Sequence, residues 1–187
     1  RLLDAAERTA RNMLKDQVSV RTKTETLSKT LGRAKPNAVQ ARTLKILASQ
    51  QGQVNADLEP FANILAQLRK ISEVGLVRPG TAKQLEEADL QMTRGRVPQK
   101  AANATIELIS GHPGNAVSEQ QKAEEGLAKV LEAIRIANDA RAAGYEAELK
   151  RAKGEADRIV EALARAEAGD ASAPAMAVDE AQRLARH

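Results

Sequence analysis

Leu3, Ala6, Ala10, Met13, Gln17, Val20, Thr24, Leu27 and Leu31 recur along the start of the chain at alternating steps of three and four. This heptad spacing keeps one stripe of a helix turned toward a neighbouring helix. Gly32, with Pro36 behind it, supplies the stop. A helix is predicted over about 1–32.

A second stripe, Leu44, Leu47, Gln51, Val54, Leu58, Phe61, Leu65 and Leu68, is widened by Ile64, Ile71 and Val74 to the face expected in a globular bundle. It predicts a helix over about 37–74, kinked at Pro60, whose ring lacks the N–H for the ladder and crowds the preceding turn. Gly75 to Gly80 reads as a turn. The third stripe, Leu85, Ala88, Met92, Gly95, Gln99, Ala102, Ile106 and Ile109, keeps its phase across Gly95, Arg96, Val97 and Pro98. One shared face is therefore expected over 81–110, even where the helix bends or breaks.

Breakers return at Gly111, Pro113 and Gly114, with Asn115 the expected cap of a fourth helix over about 116–140. From Ala116 to Ala168 there is no proline. A stripe runs Leu127, Leu131, Ile134, Asn138, Ala142, Tyr145, Leu149, Ala152, Ala156, Ile159, Leu163 and Ala166, with one extra four-step near Asn138. At about 1.5 Å per residue this helix outruns the other three. Its continuation over 141–168, rich in alanine and charge, is expected to overhang them and to need cover from outside the chain. Residues 169–187 read as a flexible linker and a short terminal helix.

Short connections imply neighbours that alternate in direction, so the predicted fold is all-α. It is an elongated up-down-up-down helical bundle over 1–140, with coiled-coil-like packing and an extra-long fourth helix. Composition points the same way: Phe61 and Tyr145 are the only aromatics among 187 residues, whereas sheets and ligand pockets lean on aromatic packing. The absence of Cys excludes a disulfide framework and a thiolate nucleophile but leaves the compartment open. No eighteen apolar residues run together, so no membrane span is expected. The chain opens on Arg1 rather than Met, and an upstream stretch that was processed or left out is expected.

Charge is uneven along the chain. The first hundred residues carry 18 basic and 10 acidic groups, the remainder 11 and 15. Arg21, Lys23, Lys29, Arg33, Lys35, Arg42 and Lys45 surround the first interhelical turn and form the expected basic end. Such a patch attracts acidic partners and anionic surfaces. Nucleic acid is not the expected partner, because base recognition adds stacking aromatics or a reading helix, and neither is evident.

Catalytic chemistry finds little material. His112 and His187 have no ligand or base at useful spacing, and the carboxylate pairs Glu86–Glu87 and Glu124–Glu125 read as solvated helix faces. Glycine-rich strings lack a phosphate loop's Lys-Ser/Thr, and no Gly-x-Ser-x-Gly elbow occurs. No metal, cofactor or enzymatic activity is expected.

Gln17, Gln51 and Gln99 occupy stripe positions that should be apolar. Gln17 and Gln51 lie equally far from the middle of the first turn, so packing would place them in one layer. Polar groups at such positions fix register at some cost in stability; a small polar ligand held between helices is the alternative. Tyr145, with Leu149, Ile159 and Leu163, marks the expected partner interface on the far part of the fourth helix.

The runs Leu14-Lys15-Asp16-Gln17, Leu47-Ala48-Ser49-Gln50-Gln51 and Glu119-Gln120-Gln121-Lys122-Ala123-Glu124-Glu125-Gly126-Leu127 resemble a Gln-punctuated helical pattern of large cell-envelope proteins of planctomycete-like bacteria. That resemblance implies an extracytoplasmic helical scaffold and carries over no functional residue. The expected function is thus a non-catalytic structural or assembly subunit, packed helically against a protein partner or a second copy. The alternative is a ligand-sensing bundle of the chemoreceptor type.

Overall fold

The computed structural model describes residues 1–32, 35–74, 78–167, 178 and 182. Arg33, residues 75–77 of the second turn and all but two residues of the predicted tail lie outside it. Among the described residues there are five helices: α1 (Leu2–Leu31), α2 (Ala38–Glu73), α3 (Pro79–Arg94), α4 (Val97–Ile109) and α5 (Pro113–Glu167); α1 to α4 and α5 as far as residue 140 form an all-α bundle. No strand occurs among the described residues.

The stripe read in α1 is its buried face, residue for residue, from Leu3 to Leu31. In α2 all eight stripe residues are buried, joined by Ala48 and Ser72, while Val74 at the C-terminus is exposed. A capping box starts α2: Asn37 Oδ1 accepts from the Gln40 N–H at 2.9 Å, and Gln40 Oε1 accepts from the Asn37 N–H at 2.9 Å. The helix continues through Pro60. Ala56 and Pro60 are both exposed, so the carbonyl that loses its donor can face water.

The third arm departs from the expectation of one continuous face. The helix breaks at Gly95 and Arg96, and Arg96 stands in the left-handed region at φ 51, ψ 39. Pro98 has no N–H to offer the Arg94 carbonyl, yet sits without penalty in the first turn of a new helix, where donors are unpaired anyway. Gly95 is required there, because a Cβ would lie 2.2 Å from the Gln91 carbonyl oxygen. The break resets the rotation of the chain. In α4 the buried residues are Val97, Ala101, Ala104 and Leu108, and Gln99, Ile106 and Ile109 are exposed.

At the start of α5 the expected Asn115 cap is replaced by Pro113 at the head of the helix, with the first backbone bond from Ala116 N–H to His112 carbonyl at 3.1 Å. Asn115 instead donates its side-chain amide to Glu107 Oε2 at 3.2 Å. The buried face of α5 runs Ala116, Gln120, Ala123, Leu127, Val130, Ala133, Ile134 and Ala137. The next buried residue is Gly144, one heptad on from Ala137, so the extra four-step expected near Asn138 is absent and Ala142 and Tyr145 fall on an exposed side.

The chain divides into two units, residues 1–140 and 141–187. In the first, α2 packs on α1, α3 and α4. Its apolar core is in two parts. The larger joins Leu3 to Met13 of α1 with Leu58 to Leu68 of α2, Leu85 to Met92 of α3, Val97 and Ala101 of α4, and Ala123 to Ala137 of α5. The smaller joins Val20, Leu27, Leu31, Leu44, Leu47, Ala48, Leu108 and Ala116. In the second unit Gly144, Glu155 and Ala162 are buried, and Arg151 Nε donates to Glu155 Oε1 at 3.0 Å.

Two substitutions test how the broken arm is seated. Arg96→Gly removes the left-handed strain of a side chain, worth about 1–2 kcal/mol, against about 0.4–1 kcal/mol of added unfolded-chain freedom; urea unfolding should show a net gain of about 0.5–1 kcal/mol. A Cβ at Gly126 would lie 2.4 Å from Val97 Cγ2. Gly126→Ala should therefore cost about 1–2 kcal/mol through overpacking, despite the helix propensity of Ala. In a Val97→Ala background the same change should turn stabilising.

Candidate functional site

Between the two apolar clusters lie three glutamines, one each from α1, α2 and α5. Gln17, Gln51 and Gln120 are fully buried, as is Thr24 one heptad beyond Gln17. Each sits on its helix between residues of the larger cluster and residues of the smaller, so the amides form a polar layer across the bundle. The buried face of each helix carries the glutamine inward by its heptad phase, and no neighbouring position could do so without leaving the seam.

The amides answer one another. Gln51 Nε2 donates to Gln17 Oε1 at 2.9 Å, and Gln17 Nε2 donates to Gln51 Oε1 at 3.4 Å and to the Gln120 carbonyl at 3.4 Å. Gln120 Nε2 donates to Gln51 Oε1 at 2.9 Å and to Thr24 Oγ1 at 3.2 Å. The Thr24 hydroxyl in turn donates to the Val20 carbonyl at 2.8 Å. Gln120 Oε1 receives no hydrogen bond, so the network is nearly but not fully closed.

Gln99, expected in this layer, is not part of it. It is exposed on α4 and donates to Asn103 Oδ1 at 2.9 Å, because the break at Arg96 rotates α4 away from the predicted phase. Gln120 stands in its place. The signal for it was in the chain: Gln120 lies one heptad before Leu127, the first residue of the stripe read in this helix.

A charged clamp closes beside the layer, one turn further along α1 and α5. Arg21 Nε donates to Glu124 Oε2 at 2.6 Å, and Arg21 also pairs with Glu25 at 3.3 Å. The Glu124 hydrogen bond is the main reason the guanidinium is held above its usual range. Glu25 is pulled below the ordinary carboxylate range, chiefly by the hydrogen bond from Lys29, and Glu119 likewise by Lys122. The stability these carboxylates add is present at neutral pH and is lost as the pH falls through their lowered values.

The expected basic end is therefore divided. Arg21 and Lys29 are paired with carboxylates. Lys23, Lys35, Arg42 and Lys45 are exposed, with no ion pair among the described residues.

On the second unit's part of α5, Tyr145 is 64% exposed, Leu149 73% and Leu163 52%; Ile159 is half-buried and Val160, not singled out in the sequence, is 65% exposed. Tyr145, Leu149, Ala152, Ala156, Val160 and Leu163 follow steps of three and four and form one stripe. The buried Gly144, Glu155 and Ala162 lie on a different face of the helix. Among the described residues no three His, Asp or Glu side chains converge where they could hold a metal ion, and no helix is long and apolar enough to cross a membrane. Comparison with family models, curated proteins and solved structures found no match to this chain.

The layer predicts an asymmetry between single and joint replacement. Gln51→Leu leaves buried Gln17 Oε1 without a donor and takes one acceptor from each of Gln17 Nε2 and Gln120 Nε2, and it should cost about 2–3 kcal/mol in urea unfolding. Replacing Gln17, Gln51 and Gln120 together with Leu removes every stranded group, and that variant should be at least as stable as the original chain.

Proposed function

We propose that the chain is a non-catalytic structural or assembly subunit that packs α5 against a helix of a partner chain. The observation that carries this reading is the stripe of Tyr145, Leu149, Val160 and Leu163, each more than half exposed within its own unit. Apolar side chains at this spacing gain little from water and much from a second helix laid along them. Ala152 and Ala156, both exposed at the middle of the stripe, let a partner backbone approach closely. Glu146, Lys150 and Lys153 are exposed beside it, which suits a rim that stays wet while the seam is covered.

A sensing bundle of the chemoreceptor type draws less support. Its small ligand would sit at the glutamine layer, where the amide donors are already engaged with one another and with Thr24. The resemblance to cell-envelope proteins adds an extracytoplasmic or cell-envelope setting to the same proposal.

Light scattering of the native protein, with crosslinking from Lys150 and Lys153, tests the reading. The expected result is a mass above that of one chain, or a companion in fixed ratio, with crosslinks reaching it from both lysines. Leu149→Asp with Val160→Asp should abolish the association and leave the thermal midpoint within about 2 °C, since exposed positions carry little stability. A lone chain with no stoichiometric companion overturns the proposal.

A further inference from the structure

One end of the first unit carries an apolar groove of about 530 Å³ between the start of α2 and the end of α4. Its floor is Leu44, Ala48 and Leu108, and its lip is Ile109, which is 73% exposed. Ala41 and Ser49 lie eight residues apart along the α2 wall, about 12 Å of helix at the usual rise. The size falls within the range of small-molecule sites. Aliphatic walls without a single aromatic suit a flexible alkyl chain better than a flat ring.

The charge at the groove has one sign. Lys45 is part of the lining, and Arg42 lies on the same side of α2, three residues from Lys45 and seven from Ser49. Lys35 immediately precedes Pro36, another lining residue. Among the described residues no carboxylate lines the groove and no ion pair engages Lys35, Arg42 or Lys45. These cations stand free beside an uncovered apolar surface, whereas Arg21 and Lys29 on α1 are neutralised by carboxylates of the same unit.

We propose that this groove binds a single-chain anionic amphiphile, of the class of a free fatty-acid carboxylate, with its alkyl chain on Leu44, Ala48, Leu108 and Ile109 and its headgroup at Arg42 and Lys45. Burial of the chain supplies the affinity and the paired cations supply the choice of head. A second copy of the same face would bring like charge to the same rim, which disfavours self-association there. The site lies apart from the glutamine layer and stands whether or not α5 meets a partner.

Calorimetric titration of the full chain with dodecanoate below its micelle concentration tests the proposal, with dodecyltrimethylammonium as the cationic counterpart. The expected result is saturable binding at one site, with the cationic amphiphile at least about tenfold weaker. Arg42→Glu with Lys45→Glu, both at exposed positions, should reverse that preference while far-ultraviolet circular dichroism stays unchanged. Ala41→Trp, which fills the groove from its wall, should remove binding of both. The proposal is overturned if dodecanoate shows no saturable binding, if the charge-reversed variant binds it equally, or if only anionic phospholipid vesicles or an acidic helical peptide bind.

Discussion

A primary amide taken out of water must find partners or cost the fold several kilocalories, and at the centre of this bundle three amides meet all of that demand but for one oxygen, Gln120 Oε1. Gln17, Gln51 and Gln120 come from α1, α2 and α5, and each satisfies another across a helix interface. Leucine seams tolerate a slip of one helix along another far better than directional hydrogen bonds do. A shift of α1 by a single turn would put Met13 or Val20 opposite Gln51 and break the Gln17–Gln51 pair. The axial position of three helices thus depends on one layer, and the Arg21–Glu124 clamp, a turn further along α1 and α5, ties the same two helices again.

Most of the framework could be read from the chain, for a definite reason. In α1 and α2 the buried residues keep an uninterrupted heptad phase, so period alone identifies the core face, including the two glutamines on it. The third arm could not be read this way. A single residue at positive φ, Arg96, rotates everything after it, and a side chain as ordinary as arginine gives no local hint of a left-handed backbone. Extending the phase of α3 puts Gln99 in the core, and the break cancels that phase. Gln120 shows the opposite case: its phase is intact, but it lies one heptad before Leu127, where the large apolar residues of the stripe begin. Beyond Asn138 a string of alanines offers several equally good stripes, and only packing separates the buried one through Gly144, Glu155 and Ala162 from the exposed one through Tyr145 and Leu149.

The two surfaces proposed to take partners differ in kind. The α5 stripe is long, narrow and alanine-centred, which suits another helix. The groove at Leu44 and Leu108 is short, aliphatic and rimmed by unpaired cations, which suits a small amphiphile. Both arise because residues that could close them are small: alanine at 152 and 156, alanine at 41 and 48. In a chain with so few aromatics, small side chains leave hollows that no large neighbour fills.

Among the described residues the polar layer also parts the core unequally, with nineteen buried apolar residues on one side and eight on the other. Free energy of local opening follows buried apolar contact, so the lesser compartment is the one that breathes first. The helix ends around Leu31, Leu44 and Leu108 can loosen while the greater compartment holds the molecule together. A guest arriving there would meet a wall already inclined to yield.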